Sequence, residues 1–149
     1  MTPEENPIPE EDLTPEVAPT LEEKQNEFVE LFNLLGSWQE RFQYLIEIGY
    51  ELPEMPEHLK TQSTLIKPCG SRTFFYVSAP EGKIHIEGWS NAVIPSGMIM
   101  MLKNIFEGAT TEELKETEIN FHIKTDLRYN ITGQRRAALD EMINRILRA

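Results

Sequence analysis

The spacing of apolar residues changes twice along the chain, and this limits the fold more than any other feature of the sequence. Apolar residues recur at helical spacing up to residue 46, follow strand-like patterns between residues 63 and 89, and return to helical spacing from residue 94. Helices, then strands, then helices are typical of the α+β class. The pattern predicts an N-terminal helical hairpin, a three-stranded, mainly antiparallel sheet, and C-terminal helices that pack on the sheet.

The helical hairpin is predicted from two helix starts. Thr20 and Glu23 have the spacing of a capping box, and Ser37 and Glu40 repeat it before a second helix that ends near Gly49. The two apolar faces are formed by Phe28, Leu31, Phe32, Leu35, Trp38, Phe42, Leu45 and Ile46.

The strands are expected where β-branched and aromatic residues are concentrated, at residues 63–66, 73–77 and 83–89. The last two form a hairpin whose turn, residues 80–82, ends in a glycine. Because side chains alternate along a strand, Ile84 and Ile86 should lie on one face and His85 and Glu87 on the other.

Helical spacing returns after the strands. A long helix is predicted over 94–105, a short helix is capped by Thr110 or Thr111, a further turn is expected at 119–123, and Thr132 begins the last helix.

Residues 1–20 differ in composition from the rest of the chain. They hold five of the ten prolines and six carboxylates, without Lys or Arg. Such a segment buries too little apolar surface to offset its ordering entropy, so a disordered, acidic, Pro-rich tail is predicted, followed by one domain over residues 21–149. The tail also lacks the basic and apolar regions of a secretory signal, and we expect a cytoplasmic protein.

Composition argues against several classes of function. The formal net charge of −11 disfavours nucleic acid as a partner, and no apolar run is long enough to span a membrane. A single cysteine excludes an intrachain disulfide and a cysteine-rich metal site. The glycines form no phosphate-binding loop, and the three histidines lack ligand spacing, so we expect neither a cofactor nor a metal.

The single cysteine, Cys69, is predicted to lie in a loop between two strands. Its neighbours in sequence are Lys67, Pro68, Gly70, Ser71 and Arg72. Proline and glycine interrupt strand pairing, and nearby cations favour a reactive thiolate. The alternative is that Cys69 is a small buried apolar residue without a chemical role.

The sequence resembles the SufE family in several ordered motifs. The stretch 36–49, GSWQERFQYLIEIG, followed by Leu52 and Pro53, is similar to the family's opening motif. Cys69 and Ser71 match its cysteine loop. The segment Ser90-Asn91-Ala92, with Gly97, resembles a later family segment, and further matches are Gly108, Ala109, Thr110, Glu112, Glu113, Thr132, Arg135, Leu139, Met142 and Ile143.

This resemblance implies a SufE/IscU-like fold and a sulfur-accepting function. Members of the family take a persulfide from a PLP-dependent cysteine desulfurase of the SufS or CsdA type, stimulate it, and pass the sulfur to an iron–sulfur scaffold. The acceptor would be Cys69, and PLP would belong to the partner. The candidates for contact with that partner are the loop residues Lys67, Pro68, Gly70, Ser71 and Arg72, and also Arg135. A monomer or weak homodimer is expected.

The chain departs from the family pattern at five positions. Pro68 replaces a glycine before the cysteine, Phe74 a tryptophan, Trp89 and Asn91 two aspartates, and Ala138 a glycine. Pro68 fixes its own backbone angle, which stiffens the approach to the thiol. Two other functions stay open: a regulatory module that binds a desulfurase without using Cys69, and a small thiol-dependent enzyme.

Overall fold

The computed structural model describes residues 17–149. Most of the tail predicted for residues 1–20, namely residues 1–16, therefore lies outside the described residues. In chain order the elements are α1 (Leu21–Leu34), α2 (Trp38–Gly49), β1 (Thr73–Ser78), β2 (His85–Ser90), α3 (Val93–Phe106), α4 (Thr111–Glu116), α5 (Phe121–Lys124) and α6 (Gly133–Leu147). The α+β class is confirmed.

The first two helices begin at the capping residues that the sequence indicates. The Thr20 side chain accepts from the Glu23 N–H at 3.1 Å, and the Glu23 carboxylate accepts from the Thr20 N–H at 2.9 Å. Ser37 accepts from the Glu40 N–H, but the Glu40 carboxylate accepts from the N–H of Gly36 instead of Ser37. The second capping box is thus half formed, and each helix still has a side-chain cap.

The prediction of three strands is wrong, because the described residues contain two. β1 and β2 pair antiparallel, with Phe74 opposite Trp89 and Ser78 opposite His85. Segment 63–66 contributes only an isolated bridge, in which Leu65 pairs with Phe74.

The bridge stays short because Thr64 belongs to a turn rather than to an extended strand. Its hydroxyl donates to the Leu59 carbonyl at 2.6 Å and accepts from the Thr61 N–H at 3.0 Å. Side chains of this type offer the backbone an alternative to ladder pairing. The next turn begins directly after Ile66, which leaves no room for further pairing.

The hairpin turn lies at residues 80–82, as predicted. Glu81 and Gly82 in this turn have positive φ angles of 55° and 78°, and glycine adopts such an angle without steric cost. Ile84 and Ile86 are buried, whereas His85 and Glu87 lie partly exposed on the other face.

Helix α3 is the centre of the core. It packs against α1, α2, β2 and α6, and its buried residues include Met98 and Met101. Gly97 allows the close approach of α2, since a Cβ at this position would collide with the Leu45 backbone carbonyl. Helix α6 packs against α3 and β1, so C-terminal helices cover the sheet as predicted. Across residues 17–149, every helix is too short or too polar to cross a bilayer.

Candidate functional site

Cys69 lies in a tight turn between two buried anchors. Ile66 is 1% exposed and Thr73, the first residue of β1, is fully buried. Between them the chain has no regular structure, and Lys67, Pro68 and Gly70 are exposed. The thiol itself is partly buried against the core, so the turn presents it at the surface without leaving it fully solvated.

Two hydroxyl groups contact the sulfur. Thr73 Oγ1 donates a hydrogen bond to Cys69 Sγ across 3.3 Å. Ser71 Oγ lies at the same distance from Sγ, and either atom can be its donor. When the thiol loses its proton, both hydroxyls can donate to the sulfur, because a thiolate accepts and does not donate.

The hydroxyl of Thr73 is itself held by a neighbour on β2. Ser90 Oγ lies 2.8 Å from Thr73 Oγ1, and Ser90 Oγ accepts from the Ala92 N–H at 3.2 Å. Because Thr73 has one hydroxyl hydrogen and gives it to the sulfur, Ser90 must donate to Thr73. Each group in this chain therefore donates to the next: the Ala92 N–H to Ser90, Ser90 to Thr73, and Thr73 to Cys69.

A second pair of hydrogen bonds ties the cysteine turn to the loop after β2. The Arg72 N–H donates to Asn91 Oδ1 at 3.1 Å, and the Asn91 N–H donates to the Arg72 carbonyl at 3.1 Å. Asn91, one of the departures from the family pattern, thus uses its amide oxygen to fix the turn. Trp89, another departure, faces Phe74 across the strands with ring centroids 6.2 Å apart.

An open cavity of about 350 Å³ lies in front of the thiol. It is lined by Cys69, Gly70, Ser71, Ala92, Thr132, Gln134 and Arg135. Thr132 caps α6 by accepting from the Arg135 N–H, which places Arg135 in the first turn of that helix. Gln134 packs so closely on Gly70 that a Cβ there would lie 2.5 Å from its amide oxygen.

The cavity brings together some of the predicted residues and leaves others outside. Gly70, Ser71 and Arg135 share it with Cys69, whereas Lys67 and Pro68 line an adjacent cavity of about 340 Å³. Arg72 lines a third cavity, of about 520 Å³. The hydrogen-bond partners of the sulfur within residues 17–149 are hydroxyls rather than these cations.

Sequence reasoning missed Thr73, Ser90 and Gln134. The signal for the first two was available, since a hydroxyl residue begins the strand after the cysteine loop and another ends the strand that pairs with it. The position of Gln134 depends on the packing of α6 and has no local signal in the sequence.

The histidines belong to other parts of the molecule. His85, at the opposite end of the sheet, hydrogen-bonds Glu107 at 2.7 Å and Glu87 at 2.8 Å, and these two carboxylates raise its pKa. His122 is buried, which lowers its pKa. Within the described range, Cys69 has no histidine partner, and no three His, Cys, Asp or Glu side chains group as metal ligands would.

Comparison with known proteins gives consistent matches over most of the chain. Residues 26–149 match the family model described as "SufE: Fe-S metabolism associated domain". The sulfur acceptor protein CsdE of Escherichia coli is 30% identical over 120 residues, which cover 79% of this chain and 82% of that protein. An uncharacterized SufE-like protein of Rhizobium meliloti is 29% identical over 126 residues, covering 81% and 90%.

The fold also matches a known structure. The solution structure of a hypothetical protein from Thermus thermophilus aligns with a TM-score of 0.65 and 22% identity, covering 85% of this chain and 95% of that one. With the family model matched over residues 26–149, the chain belongs to the SufE family.

Proposed function

We propose that this protein accepts sulfur on Cys69 from a PLP-dependent cysteine desulfurase of the SufS or CsdA type. It stimulates that enzyme and delivers the sulfur for iron–sulfur cluster assembly, in the cytoplasm and as a monomer or weak homodimer. Membership of the SufE family and the similarity to a sulfur acceptor protein of Escherichia coli support this proposal.

The observation that carries the proposal is the environment of the thiol. Cys69 lies at the edge of an open cavity, partly buried, with the Thr73 hydroxyl donating to its sulfur and the Ser71 hydroxyl in hydrogen-bond contact with it. A cysteine with only a packing role needs neither the cavity nor the donors. A nucleophilic sulfur benefits from both, because attack requires a thiolate and access.

The chemistry needs only one thiol on this chain. The Cys69 thiolate attacks the outer sulfur of the persulfide on the desulfurase, a new S–S bond forms, and the original S–S bond breaks. The partner's cysteine leaves as a thiolate, and the proton on the transferred sulfur stays with it. Because one persulfide replaces another, no oxidant or reductant is consumed, and PLP remains with the partner.

Intact-mass measurement tests the transfer directly. The protein is incubated with a desulfurase and L-cysteine, and we expect the wild type to gain the mass of one sulfur atom, about 32 Da by the exchange chemistry. Cys69→Ser, which keeps the size and polarity of the side chain, should gain nothing. A wild-type protein without any adduct would contradict the proposal.

The regulatory module remains as the second candidate, because six of the seven residues that line the cavity in front of Cys69 can contact a partner without any reaction of the thiol. Desulfurase turnover in the presence of Cys69→Ser separates the two functions. Loss of stimulation favours transfer, whereas full stimulation favours the module. A thiol-dependent hydrolase receives no support from the site, because the sulfur of Cys69 has no histidine partner in the described part of the chain.

A further inference from the structure

Three long segments of this acidic protein contain no carboxylate side chain. Residues 58–80, 88–106 and 127–139 contain no Asp or Glu, although the chain has 25 acids and 14 bases. The same segments hold half of those bases: Lys60, Lys67, Arg72, Lys103, Arg128, Arg135 and Arg136. The net charge of −11 therefore describes the chain as a whole and not every part of its surface.

The fold brings parts of these three segments together around Cys69, whereas Lys103 of the second segment pairs with Glu107 at the other end of the sheet. Residues 69–71 come from the first segment, Ala92 from the second, and Thr132, Gln134 and Arg135 from the third, and together they line the cavity in front of the thiol. No residue that lines this cavity carries a negative charge. We call this surface, with its flanking cations Lys67 and Arg72, the cysteine face. The cavity that Lys67 lines also contains Glu141, whose carboxylate is paired with Arg145 and Arg148.

The cations of the cysteine face are available to a partner. Lys60, Arg128 and Arg145, which lie nearby in sequence or space, form ion pairs with Glu57, Asp140 and Glu141. In contrast, Lys67, Arg72 and Arg135 make no ion pair within residues 17–149.

Arg72 is held in place although it has no ion pair within the described residues. Its guanidinium carbon lies 5.3 Å from the centroid of the Phe74 ring, and its backbone is fixed by Asn91. An exposed cation that is already ordered loses less conformational entropy when it meets a carboxylate.

The opposite end of the molecule has the opposite charge. The hairpin turn at residues 80–82 marks that end, where Lys83 bridges to Thr110 at the start of α4. The carboxylates in this region, Glu81, Glu87, Glu107, Glu112, Glu113 and Glu116, outnumber its lysines, which are Lys24, Lys83, Lys103 and Lys115. The described part of the protein therefore has a positive end that contains the thiol and a negative end along the direction of the hairpin.

We infer that the cysteine face docks on an acidic surface of the desulfurase, next to that enzyme's persulfide-bearing cysteine. This inference rests on the proposed function and adds the charge of the partner's surface. The cations attract the acidic region and the negative end turns away from it, so the charge distribution orients the thiol toward the partner before contact.

Charge reversal tests the inference. The triple variant K67E/R72E/R135E is compared with K83E/K115E/K124E, which changes the net charge equally at exposed lysines outside the cysteine face. The measured quantity is the protein concentration that gives half-maximal stimulation of the desulfurase. At low salt we expect the first variant to raise this concentration at least about tenfold, and the control to raise it far less.

Salt provides the second arm of the experiment. At about 0.5 M NaCl charges are screened beyond a few ångströms, so the difference between the two variants should largely disappear. Thermal unfolding of both variants verifies that they are folded. Equal effects of the two variants at low salt, or a difference that survives high salt, would overturn the inference.

The outcomes distinguish this inference from the proposed function. If the wild type gains sulfur but the two triple variants behave alike, the acceptor function stands and the docking inference fails. If the wild type gains no sulfur, the proposed function fails.

Discussion

Thr73 donates its hydroxyl hydrogen to the sulfur of Cys69 across 3.3 Å, from a position that is fully buried. The direction of this bond is set by Ser90, which donates to Thr73 while accepting from the backbone of Ala92. The donor therefore faces the sulfur before any partner arrives, and no solvent rearrangement is needed when the thiol loses its proton.

Removing this donor should slow the reactions of the thiol. Thr73→Val keeps the shape of the side chain but leaves the sulfur with Ser71 alone. A neutral hydrogen bond contributes about 0.5–1.5 kcal/mol, so we expect alkylation of Cys69 by iodoacetamide at about pH 7 to become about three- to tenfold slower. Alkylation rates measured at this pH check the prediction, and thermal unfolding of the variant verifies that it is folded.

Two further variants serve as controls for Thr73. Thr73→Ser restores the hydroxyl and should recover most of the wild-type rate. Ser90→Ala removes a hydroxyl that contacts Thr73 and not the sulfur, so it should slow the alkylation of Cys69 less than Thr73→Val does. A folded Thr73→Val protein that is alkylated at the wild-type rate would show that the hydroxyl has no effect on the thiol.

The parts of the fold that depend on local signals were predictable from the sequence. Thr20, Thr110 and Thr132 cap their helices as expected, since a capping residue acts within one turn of the chain. The third strand was predicted wrongly, because residues 63–66 have strand-like composition and only the hydrogen bonds of Thr64 reveal a turn.

The candidate site was predictable at its cysteine and not in its surroundings. The loop position of Cys69 follows from Pro68 and Gly70, which interrupt strand pairing. The donors from Thr73 and Ser90 depend on strand register, and the contact of Gln134 depends on where α6 docks. Sequence patterns give the order of elements but not the distances between them.

The close contact between α2 and α3 should be highly sensitive to substitution at Gly97. A Cβ in Gly97→Ala would collide with the backbone carbonyl of Leu45, which cannot move as a side-chain end can. Overpacking of a core costs about 1–3 kcal/mol, and a backbone collision falls at the upper end, so we expect a loss of about 3 kcal/mol in the free energy of unfolding. Urea denaturation measures this loss.

Gly133→Ala is the matched control for this packing prediction. Gly133 begins α6, and a Cβ there would have no atom within 4 Å. The substitution reduces the freedom of the unfolded chain and should stabilise the protein by roughly 0.5 kcal/mol. Equal destabilisation by the two substitutions would contradict the packing argument.

Gln25 should be the most important polar side chain of the core. It is 2% exposed, accepts from the N–H groups of Asn120 and Phe121 at 2.8 and 3.0 Å, and donates to the Glu118 carbonyl at 2.9 Å. Gln25→Leu leaves these three groups without partners. Each unsatisfied buried group costs about 1–3 kcal/mol, and partial hydration lowers the total, so we expect a loss of about 3 kcal/mol.

The control for Gln25 is the same substitution on the surface. Gln39→Leu changes an exposed glutamine in α2 and should alter the free energy of unfolding by less than about 0.5 kcal/mol. Hydrogen exchange adds a local measurement, because the N–H groups of Asn120 and Phe121 should lose protection in Gln25→Leu. Unchanged protection there would show that Gln25 does not hold the start of α5.

The pKa values of His85 and His122 are shifted in opposite directions, so the two histidines should make the free energy of unfolding depend on pH in opposite ways. Hydrogen bonds to Glu107 and Glu87 raise the pKa of His85 above its ordinary value of 6.5. The folded state therefore binds its proton more tightly than the unfolded state, and this contribution is complete below about pH 6.5 and is lost as pH rises through the higher folded pKa. Burial lowers the pKa of His122, whose neutral form is favoured by folding, so its contribution is present above pH 6.5 and is lost as pH falls through the lower folded pKa.

Substitution of each histidine separates the two contributions. We expect His85→Gln to flatten the fall in unfolding free energy on the alkaline side of pH 6.5, because its ion pairs with Glu87 and Glu107 are then absent at every pH. His122→Gln should instead flatten the fall on the acidic side. Urea denaturation in steps from about pH 5 to pH 9 measures both slopes, and a His85→Gln protein with the wild-type alkaline slope would show that His85 binds its proton equally in the folded and unfolded states. Because the side chain of His85 is 37% exposed, solvent and salt screen its ion pairs, and the alkaline slope should become shallower at about 0.5 M NaCl.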